Sequence, residues 1–451
     1  MDTDRPGPAL PLPPALSGPP ALSGPPALSG PLELTDGVVR LRALRGGDVG
    51  TGAAGELSVV AQCRDPESVR FTSVPLDYTP AMGADFVAAA ALGWAGRTTF
   101  VLAVADATDD AFLGSVDLRP GPPGTFEVGF GLGPWARGRG VMTRAVSLLL
   151  GWAFRPAPEG LGADLVRWSA DVGNWASRRV AWKTGFRGVT EVRGMVERRG
   201  VAADTWVATI RADELGHPDG RWLVVPTLAF TARDGSAWVL RPWRDDEAEV
   251  VAVVHACADP DTQRWLTHLP RGYALDHARA FLRRAPEGAA TGRSVAWAVA
   301  PVAPVSAEAD RSGTSDRSGT SVGSGPAVGS LSLFGLDAPY GTPELGWWAD
   351  PSVRGRGVVA SAVRAAADWA LHGAPDGVRT HRLNAEVDAG NHASVRVALA
   401  AGFTEFGRGH AEDPDPAGGF SDCHYFELLR ADVAVARQDV SAGRRDHSAA
   451  G

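Results

Sequence analysis

Two short strings in this 451-residue chain hold residue types suited to binding a phosphate. Arg137, Gly138, Arg139 and Gly140 lead into Val141 and Met142; Arg354, Gly355, Arg356 and Gly357 lead into Val358 and Val359. Each comes after an alternating strand pattern and a proline, and each opens a run with apolar residues at helical spacing. The first amides of a helix lack carbonyl partners and sit at the positive end of its dipole, so such a junction attracts anions. Glycine lets the backbone come close to the anion. On spacing alone, an RNA-contacting basic turn or a plain solvated loop would also fit.

Two further sets accompany the strings. Asn174 and Ser177 stand ahead of Gly185-Phe186, and Asn391 and Ser394 stand ahead of Gly402-Phe403. A hydroxyl here could deliver a proton, or Asn and Ser could merely cap a helix. Glu127 and Glu344 lie on the strands before the two loops. Each is suited to take a proton from an amine, or to pair with a neighbouring arginine. Arg137 and Arg354 are 217 residues apart, as are Asn174 and Asn391, and Gly185 and Gly402. Collinear matches at one offset mean a duplicated domain.

The elements that must position these residues can be read from periodicity. Strands are expected near 38–44, 98–105, 112–119, 125–132, 163–171, 186–193 and 201–210. A helix capped by Asp48 should run to about Cys63, a second from about 81 to 95, a third from Gly140 to Phe154, and a fourth from Asn174 to Thr184. Gly129, Gly131 and Gly346 suggest a bulge in the strand before each loop. The same order returns after a polar linker at 212–221. This gives a Pro-rich, disordered arm at 1–31, a first domain at 32–211, a second at 222–430 with a flexible Ser/Gly insertion at 302–327, and a disordered tail at 431–451.

Composition narrows the class. With 44% hydrophobic residues each half can build a core, and the net charge of −8 argues against nonspecific nucleic-acid binding. Cys63, Cys257 and Cys423 form no disulfide framework or zinc pattern, which fits a reduced cytoplasmic protein. Cys63 and Cys257 read as packing residues. No leader pattern and no apolar run of about 18 residues is visible, so no membrane partner is expected.

The element order and the Arg-Gly-x-Gly string at the central helix resemble the GNAT superfamily of acyl-CoA N-acyltransferases, over about 34–211 and 224–430. The fold implied is α/β (α+β): two tandem GNAT-like domains, each a mixed, mostly antiparallel sheet flanked by helices. The resemblance implies acetyl-CoA as cosubstrate, no metal, and a pyrophosphate on the amides of 138–143 and 355–360, with the four arginines adding charge. Met142 and Val359 depart from the family's Gly/Ala at the last motif position. Asn174 and Asn391 are implied to reach the pantetheine arm. The family's usual tyrosine is replaced by Ala181 and Ala398, so the chain is more similar to the ribosomal-protein N-terminal (Rim-type) branch, which uses Ser. Ser177 and Ser394 are then the acids for the leaving thiolate, and Glu127 and Glu344 the bases. The acceptor would be a protein N-terminal α-amine or a small-molecule amine, selected by segments 65–80 and 259–273. The two halves are expected to pack on each other. A catalytic half with a pseudo-domain, and a non-catalytic acyl-CoA sensor, are the alternatives.

Overall fold

The computed structural model describes residues 32–302, 324–337, 342–373, 378–414 and 418–433. The arm at 1–31, most of the insertion at 302–327 and most of the tail lie outside these residues. Val302 and Ser324, the described ends of the insertion, pair in an antiparallel bridge. Residues 430–433 form a helical turn, and Val433 packs on the second core.

The chain divides into two compact units, Met1–Asp219 and Gly220–Gly451. In the first, β1 (Leu34–Thr35) and β2 (Val39–Arg42) precede α1 (Val59–Arg64), α2 (Pro66–Phe71) and α3 (Pro80–Gly96). Then come β3 (Phe100–Asp106), β4 (Phe112–Pro120), β5 (Thr125–Leu132), α4 (Val141–Ala153), β6 (Leu165–Asp171), α5 (Trp175–Thr184), β7 (Arg187–Arg198) and β8 (Val201–Ile210). The eight strands form one sheet in the order β1-β2-β3-β4-β5-β6-β8-β7. Only the β5–β6 pairing is parallel, which makes the sheet mixed and mostly antiparallel.

The second unit repeats this with β9 (Leu228–Thr231), β10 (Ala237–Arg241), α6 (Glu247–Ala258), α7 (Pro260–Trp265), α8 (Leu275–Arg284), α9 (Glu287–Ala290), β11 (Val295–Pro301), β12 (Gly329–Phe334) and β13 (Glu344–Ala349). It continues through α10 (Val358–His372), β14 (Arg382–Asp388), α11 (His392–Ala401), β15 (Thr404–Pro414) and β16 (Phe420–Leu429). Its sheet runs β9-β10-β11-β12-β13-β14-β16-β15, again with one parallel pair, β13–β14.

One face of each sheet carries the central helix. Val116, Leu118, Phe126, Val128, Val166 and Trp168 meet Ala145, Val146, Leu149 and Trp152 of α4 in the first core. Leu331, Leu333, Leu345 and Leu383 meet Val363, Ala366 and Ala370 of α10 in the second. Burying these stripes holds the start of each central helix at the end of β5 or β13, as the 3.6-residue spacing requires.

The stretch after Asp48 departs from expectation. No long helix starts there: Asp48 is buried in a bidentate pair with Arg42 at 2.8 Å for each oxygen. Gly50, Gly52 and Gly55 all take positive φ, which breaks any helix before Ser58 caps the short α1. Nor is there a bulge at Gly129 or Gly131, because β4 and β5 pair in unbroken register from Gly114–Leu132 to Pro120–Phe126. These glycines make room instead: a Cβ on Gly129 would strike Asp117, and one on Gly131 would strike Gln62. Gly346 likewise sits against Phe334, whose Cε2 would lie 3.2 Å from an added Cβ.

Candidate active site

The two Arg-Gly-x-Gly strings fall where strand turns into central helix. Gly138 and Gly140 take φ +75° and +76°, and Gly355 and Gly357 take +75° and +78°, the left-handed region that glycine enters without strain. Gly140 and Gly357 are the N-caps of α4 and α10, and neither offers a side chain to the helix. By contrast, Ser58, Asp65, Thr79, Asn174, Asp246, Asp259 and Asn391 cap their helices with side-chain oxygens. Backbone pairing resumes only at Arg144 N–H to Gly140 O and Ser361 N–H to Gly357 O. Among the described residues the amides of 138–143 and of 355–360 donate no close, well-aligned hydrogen bond. Six consecutive open amides at a helix start form an anion cradle twice over. Added Cβ atoms on Gly138, Gly140 and Gly355 would meet nothing within 4 Å, so these cradles open outward.

Beside each cradle the sheet splits. Parallel pairing of β5 with β6 runs from Thr125–Leu165 to Val128–Trp168 and stops. Gly129 to Leu132 then pair with β4 alone. In the second unit the parallel register is confined to Glu344–Asn384, beside an Asn384 N–H to Pro343 O bond of 2.9 Å. Each gap exposes a strand edge leading to the cradle, which can receive an extended arm bearing amides of its own. Met142 is buried in the first core and Val359 packs partly against the second. Their side chains point inward, so the residues that replace Gly/Ala leave their amides available.

The arginines are engaged differently from the expectation that all four serve a phosphate. Arg137 Nη2 reaches Asp65 at 2.5 Å, Leu132 O at 3.1 Å and Ser68 Oγ at 3.3 Å. Arg354 repeats this with Asp259 at 2.6 Å, Thr262 Oγ1 at 2.8 Å and Ala349 O at 3.2 Å. Asp65 and Asp259 are also the N-caps of α2 and α7. Burial raises each carboxyl, but the arginine and the capped amide outweigh it, and both are lowered overall. These arginines brace the loop against the helices that begin segments 65–80 and 259–273. Cys63-Arg-Asp-Pro and Cys257-Ala-Asp-Pro repeat these aspartates in the sequence, a signal that could have found the brace. Arg356 pairs with Asp234 at 3.0 Å, whereas Arg139 is exposed and makes no pair among the described residues.

Asn174 and Asn391 each accept the N–H of Ser177 and Ser394 at 3.1 Å, so both cap their helices. The Ser177 hydroxyl accepts the Trp168 indole N–H at 3.0 Å, which leaves its own proton free to be donated. Ala385 holds the place of Trp168 in the second unit, so Ser394 lacks that support.

Glu127 lies across β5 from Arg119 and Arg167, on the face opposite α4. It takes hydrogen bonds from Arg167 at 2.6 Å and Ser169 at 2.9 Å, with Arg119 at 3.6 Å. Burial raises its carboxyl, but Arg167 and Ser169 outweigh this and lower it. Beside it, Asp117 is pushed up by burial and by Glu127, which Arg119 only partly offsets. In the second unit Glu344 stands between Phe334 and Asn384 in register. Asp117, Arg119, Arg167 and Ser169 give way there to Ser332, Phe334, Asn384 and Glu386. No repeat could flag these four, because they differ between the copies.

Cys63 and Cys257 are poor nucleophiles, their thiols pushed by burial up to about 11 and about 12. Among the described residues no cluster of three or more His, Cys, Asp or Glu is placed to hold a metal. Nor, among the described residues, is any helix long and apolar enough to cross a membrane.

Solved structures similar to this chain include three acetyltransferases. The GNAT-family acetyltransferase from Bacillus anthracis is 17% identical, covering 45% of this chain and 99% of its own, with a TM-score of 0.33. RimJ of Mycobacterium smegmatis in complex with CoA-disulfide is 19% identical, covering 49% and 96%, with a TM-score of 0.38. The ribosomal-protein-S5-alanine acetyltransferase of Vibrio fischeri is 17% identical, covering 41% and 98%, with a TM-score of 0.34. No curated protein matches the chain. The acetyltransferase (GNAT) domain model matches residues 39–187 and again 238–404. These spans take in both cradles and more than half of the sequence, and the chain belongs to the GNAT acetyltransferase family.

Proposed function

We propose that the protein is an N-acetyltransferase that moves an acetyl group from acetyl-CoA to a primary amine. The paired cradle of six open amides carries this reading. The amides of 138–143 and 355–360 bind the pyrophosphate, with Arg139 adding its free charge in the first half. The open edges of β5 and β13 receive the pantetheine arm, near Asn174 and Asn391. Acetyl-CoA supplies the activated thioester. The acceptor ammonium first loses one proton to water; its neutral nitrogen then forms the new C–N bond as the C–S bond breaks and gives a second proton to water, while the departing sulfur takes one from a serine hydroxyl that water reprotonates. Ser177 gives that proton in the first half and Ser394 in the second.

Glu127 is ionised at neutral pH, and its lowered pKa makes it a weak base. Its task is to attract and orient the incoming ammonium, with Glu344 in the matching place. An α-amine titrates near ~7.7–8 and a lysine side chain near ~10.4, so a weak base is better matched to a protein N-terminus. The Rim-type Asn-x-x-Ser pattern points to the same acceptor, taken up between the 65–80 and 259–273 segments and their sheets. The 32–211 and 222–430 halves act as tandem domains, with no nucleic acid or membrane as partner, in the cytoplasm.

Titration of the intact chain with acetyl-CoA tests the cradle. Two sites are expected, and Gly140→Glu and Gly357→Glu should each remove one. A left-handed N-cap cannot take a side chain without strain, and the added carboxylate repels phosphate. Full binding retained in both variants would sink the assignment. Thiol release with N-terminal peptides then distinguishes an enzyme from a sensor.

A further inference from the structure

The two cradles have the same backbone but different surroundings. In the first unit nothing stands over the N-cap of α4: a Cβ at Gly140 would meet no atom within 4 Å. Arg139 is exposed without a partner among the described residues, and the acid of the β1–β2 turn, Asp36, pairs with Arg144 in the first turn of α4 at 2.7 Å rather than with a loop arginine. In the second unit the β9–β10 turn leans onto the loop. A Cβ at Gly357 would come within 3.2 Å of Arg233 Cβ. Asp234 in that turn grips Arg356, the counterpart of Arg139, with contacts of 3.0 Å to Nη2 and 3.3 Å to Nε. The guanidinium also sits 5.8 Å above the Trp238 ring. Both turns read Asp-Gly, yet only the second sends its carboxylate to the loop.

We propose that the second cradle binds acyl-CoA more weakly than the first, and that Asp234 is the residue that sets the difference. The proposal rests on the phosphate-cradle reading above. A carboxylate held against Arg356 neutralises the one loop arginine not committed to the brace. It also places a negative charge beside the open amides of 355–360, where a pyrophosphate must settle. Ser236 fixes the carboxylate by hydroxyl and amide hydrogen bonds and, with Arg356, pulls it down to about 2, so it stays charged throughout the working pH range. In the first cradle Asp36 is neutralised by Arg144 of the helix, and Arg139 in the loop has no carboxylate partner among the described residues. The halves are then unequal in cosubstrate affinity although their phosphate motifs match.

The probe is CoA, titrated calorimetrically into the intact chain carrying Gly140→Glu, so that the heat reports the second cradle. Asp234→Asn is added to this background. Asparagine keeps an oxygen for the Ser236 amide, so the turn holds. The affinity is expected to tighten about three- to tenfold, as removal of one exposed charge near a bound anion implies, with the gain shrinking as salt rises. Asp234→Ser, a second neutral variant, should match it. The chain carrying Gly357→Glu reports the first cradle, which should bind tighter than the second under the same conditions. Unchanged or weakened affinity in both Asp234 variants overturns the proposal, as does a first cradle no tighter than the second. If the first cradle binds and the second does not in any of its variants, Asp234 is not the determinant and the proposal also falls. If neither cradle binds CoA, the cradle reading itself fails.

Discussion

The brace between Arg137 and Asp65 separates two ways a loop arginine can serve a phosphate. It can touch the anion, or it can hold the backbone that does. Arg137 spends one nitrogen on Asp65, Ser68 and Leu132 O, and Asp65 is about 10% exposed while Arg137 is 36% exposed. A charged hydrogen bond with a buried partner contributes about 1.5–3 kcal/mol and an exposed pair about 0.2–1. The mixed exposure here gives about 1–2 kcal/mol. If that energy holds the loop in its binding shape, losing it raises the Kd for CoA by about 5- to 30-fold. Arg137→Ala and Asp65→Ala should then weaken binding alike. The double variant should fall short of the sum of the two, since both break one shared contact, although Asp65→Ala also removes the α2 cap and Arg137→Ala the bond to Leu132 O. Calorimetric titration of the intact chain carrying Gly357→Glu reads this directly. Suppose instead that Asp65→Ala left the affinity unchanged or improved it while Arg137→Ala weakened it. Arg137 would then act on the phosphate itself, and the brace would be refuted.

Two other outcomes are expected from the same geometry. Ser177→Ala should lower kcat about 10- to 100-fold while leaving CoA affinity intact, because Asn174 caps the Ser177 amide and not its hydroxyl; an unchanged kcat in peptide acetylation by a chain carrying Gly357→Glu would reduce Ser177 to a helix residue. Asp117, whose carboxyl is raised, is stabilised in its protonated form, so its contribution is full below the unfolded pKa of about 3.9 and is lost as pH rises through the folded value. Asp117→Asn, which cannot ionise, should therefore raise the melting temperature at pH 7 and lose that advantage near pH 3; a lower melting temperature at pH 7 would contradict this.

What could be read from the sequence depended on whether backbone or side chain made the feature. Strand 125–132 and the helix opening at Gly140 stand where alternation and 3.6-residue spacing put them, because each buries one stripe against one core. The loop's place was legible because Arg-Gly-x-Gly stands twice between a strand and a helix, and its glycines take the left-handed φ that glycine allows. The stretch after Asp48 was not: Asp48 has a capping side chain, but the long-range partner Arg42 claims it, and Gly50, Gly52 and Gly55 turn the backbone out of any helical path. That Glu127 would pair with an arginine was open from the sequence, but not which one, since Arg119 and Arg167 come to it only through sheet register, β4 on one side and β6 on the other.

The same division explains how the two copies came to differ. An amide cradle depends only on φ at two glycines and on where a helix starts, so replacing Met142 with Val359 leaves it intact: both side chains turn into the core. The face opposite the central helix depends on side chains meeting across three strands. There a single replacement undoes several contacts at once. Phe334 in place of Arg119 removes one charge beside the glutamate and lays an aromatic ring against Gly346, where the first copy has Asp117 against Gly129. Asn384 in place of Arg167 removes the other charge, and Ala385 in place of Trp168 removes the support of the helix serine. Duplication therefore kept the backbone of the glycine loop and changed the side chains on the opposite face. On the proposed function the halves share a donor and differ in the amine they take, which peptide acetylation by chains carrying Gly140→Glu or Gly357→Glu would show as two different preferences.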